Sequence, residues 1–153
     1  MEFGIKAILE EDIQKIYEIG CGEEDFSADG GKNCFWPKST LSKLAKSEND
    51  VALKLVVNEK IVGFSLVMIH PVTKKAVLEN FYVTKEYNYL ENKFYLEVEN
   101  QIKEKGAQFI AYFYDSVEDV NDLELFKKNG YFEGNSHLWM HKNISFSNPF
   151  IKK

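Results

Sequence analysis

The stretch that decides the fold runs from Ala76 to Tyr114. It opens with Ala76-Val77-Leu78-Glu79-Asn80-Phe81-Tyr82-Val83, passes a polar turn, reads as helix from Leu90 to Lys105, stops at Gly106, and resumes at Ala107. The outer pieces are apolar and rich in aromatic residues, as strands are. A strand, a crossover helix and a second strand imply a parallel pair.

Working outward, the residues before this unit form an antiparallel meander. Val51 to Val57, Ile61 to His70 and Ala76 to Val83 are three strands, joined by turns at Asn58-Glu59-Lys60 and at Pro71 to Thr73. Further upstream, Gly4 to Leu9 is a strand that enters a helix over Glu10 to Gly20. Ile13, Ile16 and Tyr17 recur there at helical spacing, and Glu10, Glu11 and Asp12 suit the positive helix end. A long polar loop reaches Asn33, and Pro37 opens a second helix with Leu41 and Leu44 on its apolar stripe. Downstream, Val120 to Lys128 is a helix capped by Gly130. A hairpin of Tyr131 to Glu133 and Ser136 to Asn143 follows. The expectation is an α/β fold: a mostly antiparallel sheet of six to seven strands, with a parallel fourth and fifth pair and about four helices. One domain over residues 1–144 is expected, with a loose tail over 145–153.

Composition narrows the function classes. The chain has 153 residues and a net charge of −5, and all 19 of its basic residues are lysines. Without arginine, bidentate phosphate and guanine contacts have no donor, so nucleic acid is not the expected partner. No apolar run reaches the length of a membrane span, and Met1 to Lys6 shows no secretory pattern, so a cytoplasmic location is expected. Cys21 and Cys34 are too few for a disulfide framework. His137 and His141 stand four apart in a strand, which does not bring them together, so no metal is expected.

The order of elements resembles the GNAT superfamily of acetyl-CoA-dependent N-acyltransferases. Asn58-Glu59-Lys60-Ile61-Val62-Gly63-Phe64 looks like that family's second-to-third strand hairpin. Leu78 to Val83, followed by Lys85-Glu86-Tyr87, looks like its fourth strand running into the acetyl-CoA loop. Leu125-Phe126-Lys127-Lys128-Asn129-Gly130-Tyr131 resembles a segment near its C-terminus, and Phe35-Trp36-Pro37 to Leu41 is similar to the ribosomal-protein branch. The resemblance covers about Gly4 to Asn143.

It implies acetyl-CoA as co-substrate, with no metal, and an amine of a small molecule or peptide as acceptor. A homodimer through the terminal strands is compatible with it. Phe81, Tyr82 and Val83 would hold the pantetheine arm through their backbone, and Asn88, Tyr89, Leu90, Glu91, Asn92 and Lys93 occupy the pyrophosphate loop. Glu79 is the candidate base. Four positions depart from the family pattern. Glu91 and Lys93 stand where the family carries glycines that let backbone N–H groups close around phosphate. Phe126 stands where many members have a proton-donating tyrosine. Tyr114 stands where the ribosomal-protein branch has a glutamate, and is the candidate donor in place of the missing tyrosine. The alternative is a GNAT-like binding or scaffold domain without catalysis, in which Glu79 is a solvated residue and Tyr114 a packed one.

Overall fold

The computed structural model describes residues 2–23, 35–113 and 120–134. They fall into two compact units, one within Met1–Phe113 and one within Tyr114–Asn148.

In the first unit, β1 (Phe3–Ala7) leads through a 3-10 turn (Glu10–Asp12) into α1 (Ile13–Gly22). There follow α2 (Lys38–Lys46), β2 (Val51–Val57), β3 (Lys60–His70), β4 (Lys75–Val83), a 3-10 segment (Lys85–Leu90), α3 (Glu91–Glu104) and β5 (Phe109–Tyr112). The five strands lie in the order β1-β2-β3-β4-β5. Each neighbouring pair is antiparallel except β4 with β5, which is parallel. The mixed sheet expected from the sequence is present, with the parallel pair where the crossover helix requires it.

Two features of the chain set the turns. Asn58 and Glu59 both take positive φ, at 46° and 66°, the twist that a two-residue turn needs to join right-twisted strands. At the far end of α3, Gly106 takes φ of 80°. Its N–H donates to the Lys103 carbonyl, and the Ala107 N–H donates to the Ile102 carbonyl. That double bond satisfies carbonyls that the last helical turn would leave without donors.

Helices cover both faces of the sheet. On one, Ile13, Ile16 and Leu41 from α1 and α2 pack with Ile8, Phe35, Phe64 and Leu66. The Phe35 ring lies so close over Gly20 that a Cβ there would sit 2.2 Å from it. Gly20 therefore serves inside α1 as the position that admits this ring, and the helix runs on to Gly22. On the other face, α3 buries Phe94, Tyr95, Val98 and Ile102, and Phe81 stacks on Phe94 at 5.3 Å between ring centroids. Each such side chain contributes about 1.5–3 kcal/mol of burial. Asp12 and Lys54 form an ion pair at 2.5 Å, both largely buried, and the Leu9 N–H donates to the same carboxylate.

In the second unit, α4 (Val120–Lys128) ends as α3 does. Gly130 takes φ of 88°, the Tyr131 N–H donates to the Phe126 carbonyl, and the Tyr131 ring stands edge-on to Phe126 at 5.1 Å.

Two expectations on strands need correction. Tyr131 to Glu133 is not a strand; its short apolar alternation makes no ladder, and extended chain without a ladder is not a strand. The described residues hold five strands; Ser136 to Asn143, the remaining expected strand, and the tail lie outside those residues. The last strand of the first unit, β5, is shorter than Ala107 to Tyr114 and is not buried on both faces, since Phe109 is 56% exposed. A ladder's length is set by its partner rather than by apolar run length. Among the described residues no helix is long and apolar enough to cross a membrane.

Candidate functional site

The site is built around the middle of β4. Among the described residues its register with β5 runs from Lys75↔Phe109 to Leu78↔Tyr112 and goes no further, while β4 itself continues to Val83. On the other side of β4 the ladder with β3 slips at the same place. Leu66 faces Asn80 and Val67 faces Leu78, so Glu79 is the extra residue of a β-bulge. A bulge bends its strand, increases local twist and re-aims side chains.

The re-aiming is visible in which residues are buried. Before the bulge, Ala76 and Leu78 are buried; after it, Phe81 and Val83 are, together with the polar Asn80. Among the apolar residues the buried parity has switched from even to odd numbers. Phe81 lies against Phe94 and Tyr95 of α3. Asn80 and Tyr82 therefore share the opposite face, under α1 and α2. There the Trp36 indole N–H donates to Asn80 Oδ1 at 2.7 Å, and the Tyr82 hydroxyl donates to Glu23 Oε1 at 2.8 Å. The Phe64 ring lies 5.8 Å from Tyr82. Burial, and then the bond to Glu23, push the Tyr82 phenol up to about 12, so it stays neutral across the physiological range. Glu79, at the bulge itself, is half-buried.

Past Val83, the Thr84 N–H donates to the Val62 carbonyl and the chain tightens into the 3-10 segment. Asn88, Tyr89 and Leu90 close that segment, and α3 begins at Glu91 with Asn92 and Lys93 in its first turn. Leu90 is buried, whereas Tyr89 is 62% exposed, its ring 6.3 Å from that of Tyr87. No residue from Lys85 to Lys93 takes positive φ. The Lys93 ammonium sits over the Phe3 ring, 5.4 Å from its centroid, turned toward β1.

Of the residues expected from the sequence, Glu79, Phe81, Tyr82 and Val83 lie on one strand, and Asn88 to Lys93 follow in the turn and helix start beyond it. Tyr114 lies outside the described residues. Phe126 belongs to the second unit, where its ring meets Tyr131. Asn80 and Glu23 were not expected. The signal for the first was present: Glu79-Asn80 puts two polar residues in succession into an apolar strand, which breaks period-two alternation. A cleft of about 980 Å³ opens elsewhere, beside the β2–β3 turn. It shares Thr84, Glu86 and Tyr87 with the segment leaving β4 but includes none of Glu79 to Val83. Its walls carry both lysines and carboxylates, among them the Asp12–Lys54 pair.

A strand that bulges where its parallel neighbour's ladder ends, between helices on both faces, defines the chain's class: it has the GNAT acyltransferase fold. No family model matches the sequence, and no curated protein matches it. Solved structures do match. PaiA N-acetyltransferase from Thermoplasma acidophilum, in complex with coenzyme A, superposes with a TM-score of 0.72 at 17% identity, over 90% of this chain and 94% of that one. An acetyltransferase of the GNAT family from Streptococcus pneumoniae gives 0.69 at 18% identity, over 87% of each chain. The ribosomal-protein alanine N-acetyltransferase from Escherichia coli gives 0.67 at 17% identity, over 88% and 80%. Identities this low establish the shared fold.

Proposed function

We propose that the chain is an acyl-CoA-dependent N-acyltransferase that moves an acyl group, acetyl in the simplest case, directly to an amine of a small molecule or peptide. The observation that carries this reading is the end of the β4–β5 ladder at Leu78, coincident with the bulge at Glu79, while β4 runs on. The arm of the thioester would lie along β4 from Val83 toward the bulge, its two amides matched to the strand's backbone direction. The bound thioester supplies an acyl carbonyl on a thiol leaving group.

The chain's own residues supply the rest. Glu79, half-buried at the bulge, takes a proton from the acceptor's ammonium directly or through water, which frees the amine lone pair to attack the thioester carbonyl. Asn80 and Trp36, fixed by their mutual hydrogen bond, form a wall on the α1 and α2 face. Tyr82 holds its proton too tightly for acid–base work and ties β4 to Glu23 at the end of α1. Tyr114 is assigned the return of a proton to the departing thiolate. A cytoplasmic location accords with this chemistry.

The fit to coenzyme A differs along the molecule. The strand suits the arm, but Glu91 and Lys93 do not suit the diphosphate. Those two side chains, with Phe126 in place of a tyrosine, favour a second reading: a binding domain of this fold without catalysis. Titration calorimetry with acetyl-CoA separates the two. Saturable heat, with a rise in melting temperature, is expected; no heat at high micromolar ligand would leave only the binding domain.

A further inference from the structure

We infer that this chain recognises its acyl donor through the pantetheine arm alone, and that the nucleotide diphosphate half of coenzyme A contributes little to binding. The inference rests on the acyltransfer reading and narrows its donor to thioesters of a phosphopantetheine arm. Two sources carry that chemistry: coenzyme A itself, and the prosthetic group of an acyl carrier protein, which ends in a single phosphodiester and has no adenosine.

Three observations at the segment beyond β4 point the same way. First, the diphosphate of coenzyme A needs a cradle of converging backbone N–H groups, which combines a left-handed residue with small side chains. Lys85 to Lys93 has no positive φ and runs as 3-10 turn into α-helix. Second, the positive end of α3 already carries an anion. Glu91 is its first residue, and an acidic residue in the first turn is the charge that the helix dipole favours there, in competition with a phosphate. Third, the cations do not compensate. Lys93 is stationed over Phe3 on β1, which leaves Lys85 as the segment's other lysine, and the lysines of the neighbouring cleft share its walls with as many carboxylates. In place of a phosphate cradle the segment presents the adjoining rings of Tyr87 and Tyr89.

The test compares ligands on the intact chain. Dissociation constants for coenzyme A and for 4′-phosphopantetheine, measured by calorimetry, are expected to agree within about threefold, and 3′,5′-ADP is expected not to bind. Coenzyme A binding more than tenfold tighter than 4′-phosphopantetheine, or 3′,5′-ADP competing for the site, overturns the inference and leaves the acyltransfer reading standing. Binding of neither arm-bearing ligand overturns both. An acetylated acyl carrier protein, assayed beside acetyl-4′-phosphopantetheine for thiol release with a panel of amines, then identifies the source. Tighter binding of the carrier protein assigns the donor to it, and equal binding assigns it to the small thioesters; either supports recognition through the arm. The double variant Glu91→Gly with Lys93→Gly supplies the converse. Its affinity for coenzyme A should rise at least fivefold while that for 4′-phosphopantetheine stays within twofold, and an unchanged ratio counts against the inference.

Discussion

Glu79 shows how much one residue can decide. It is the extra residue that switches the buried parity of β4, and it is the carboxylate at the point where β5 leaves the ladder. Glu79→Gln keeps the shape and removes the basicity. It should lower kcat by about 10²-fold or more with the melting temperature unchanged, since general-base assistance is worth about 10²–10⁴. A loss under about tenfold would assign proton removal to another group. Tyr82 carries a pH prediction. Its folded-state pKa of about 12 lies above the ordinary 10.0, through burial first and the Glu23 bond second. The native state therefore holds this proton when the unfolded chain has begun to release it. The stability it contributes is complete below pH 10 and is lost as pH rises toward 12. A spectroscopic phenol titration of the wild type minus Tyr82→Phe checks this, and a difference signal centred at the ordinary value would show the phenol to be solvated. What the sequence revealed at this scale was uneven. Glu79 could be read as acidic in an apolar strand, but Asn80 bonds Trp36 across 44 positions and Tyr82 bonds Glu23 across 59, and no local pattern carries such pairings.

Elements were more legible than residues, and the reason is local. β2 and α4 fall where periodicity placed them, and both helix-ending glycines adopt the left-handed turn that makes glycine informative. The shortness of β5 was not legible, because a ladder belongs to two strands and neither sequence alone reports it; the bulge left only the broken alternation at Glu79-Asn80. Gly63 shows the same dependence on a neighbour. Nothing in Ile61-Val62-Gly63-Phe64 announces that a Cβ at this position would meet the Tyr82 carbonyl at 2.6 Å. The obstacle is backbone, so β4 itself would have to move. Gly63→Ala should destabilise the chain by about 1–3 kcal/mol, the usual range for overpacking. It should also weaken acetyl-CoA binding by displacing Tyr82 and Val83. Gly4→Ala is the control, since its Cβ would meet only the flexible end of Lys6 at 3.4 Å. Equal stability of the two variants, by thermal denaturation, would show that β3 and β4 do not approach so closely.

Across the whole molecule, order of elements carried the fold when no single motif did, because connection rules leave few ways to arrange a meander followed by a strand, helix and strand. Function was less legible for a related reason: connection rules arrange strands and helices, while what Glu79 and the Lys85 to Lys93 segment do depends on the ligand they meet. The sheet's uneven burial gives this a measurable form. β3 is paired on both sides and buried along most of its length, whereas β5 is joined to β4 only from Phe109 to Tyr112, with every residue exposed or half-buried. Local opening is easiest where buried contacts are fewest, so amide exchange should be slowest in β3 and at least tenfold faster in β5. A ligand lodged where the β4–β5 ladder ends would brace the weaker strand. Saturating acetyl-CoA should therefore slow exchange at Phe109 to Tyr112 and leave Val51 to Val57 unchanged. Protection that appears instead around Lys6, Lys15 and Glu59 would place the ligand in the charged cleft beside the β2–β3 turn, and the strand gap would lose its claim to the donor.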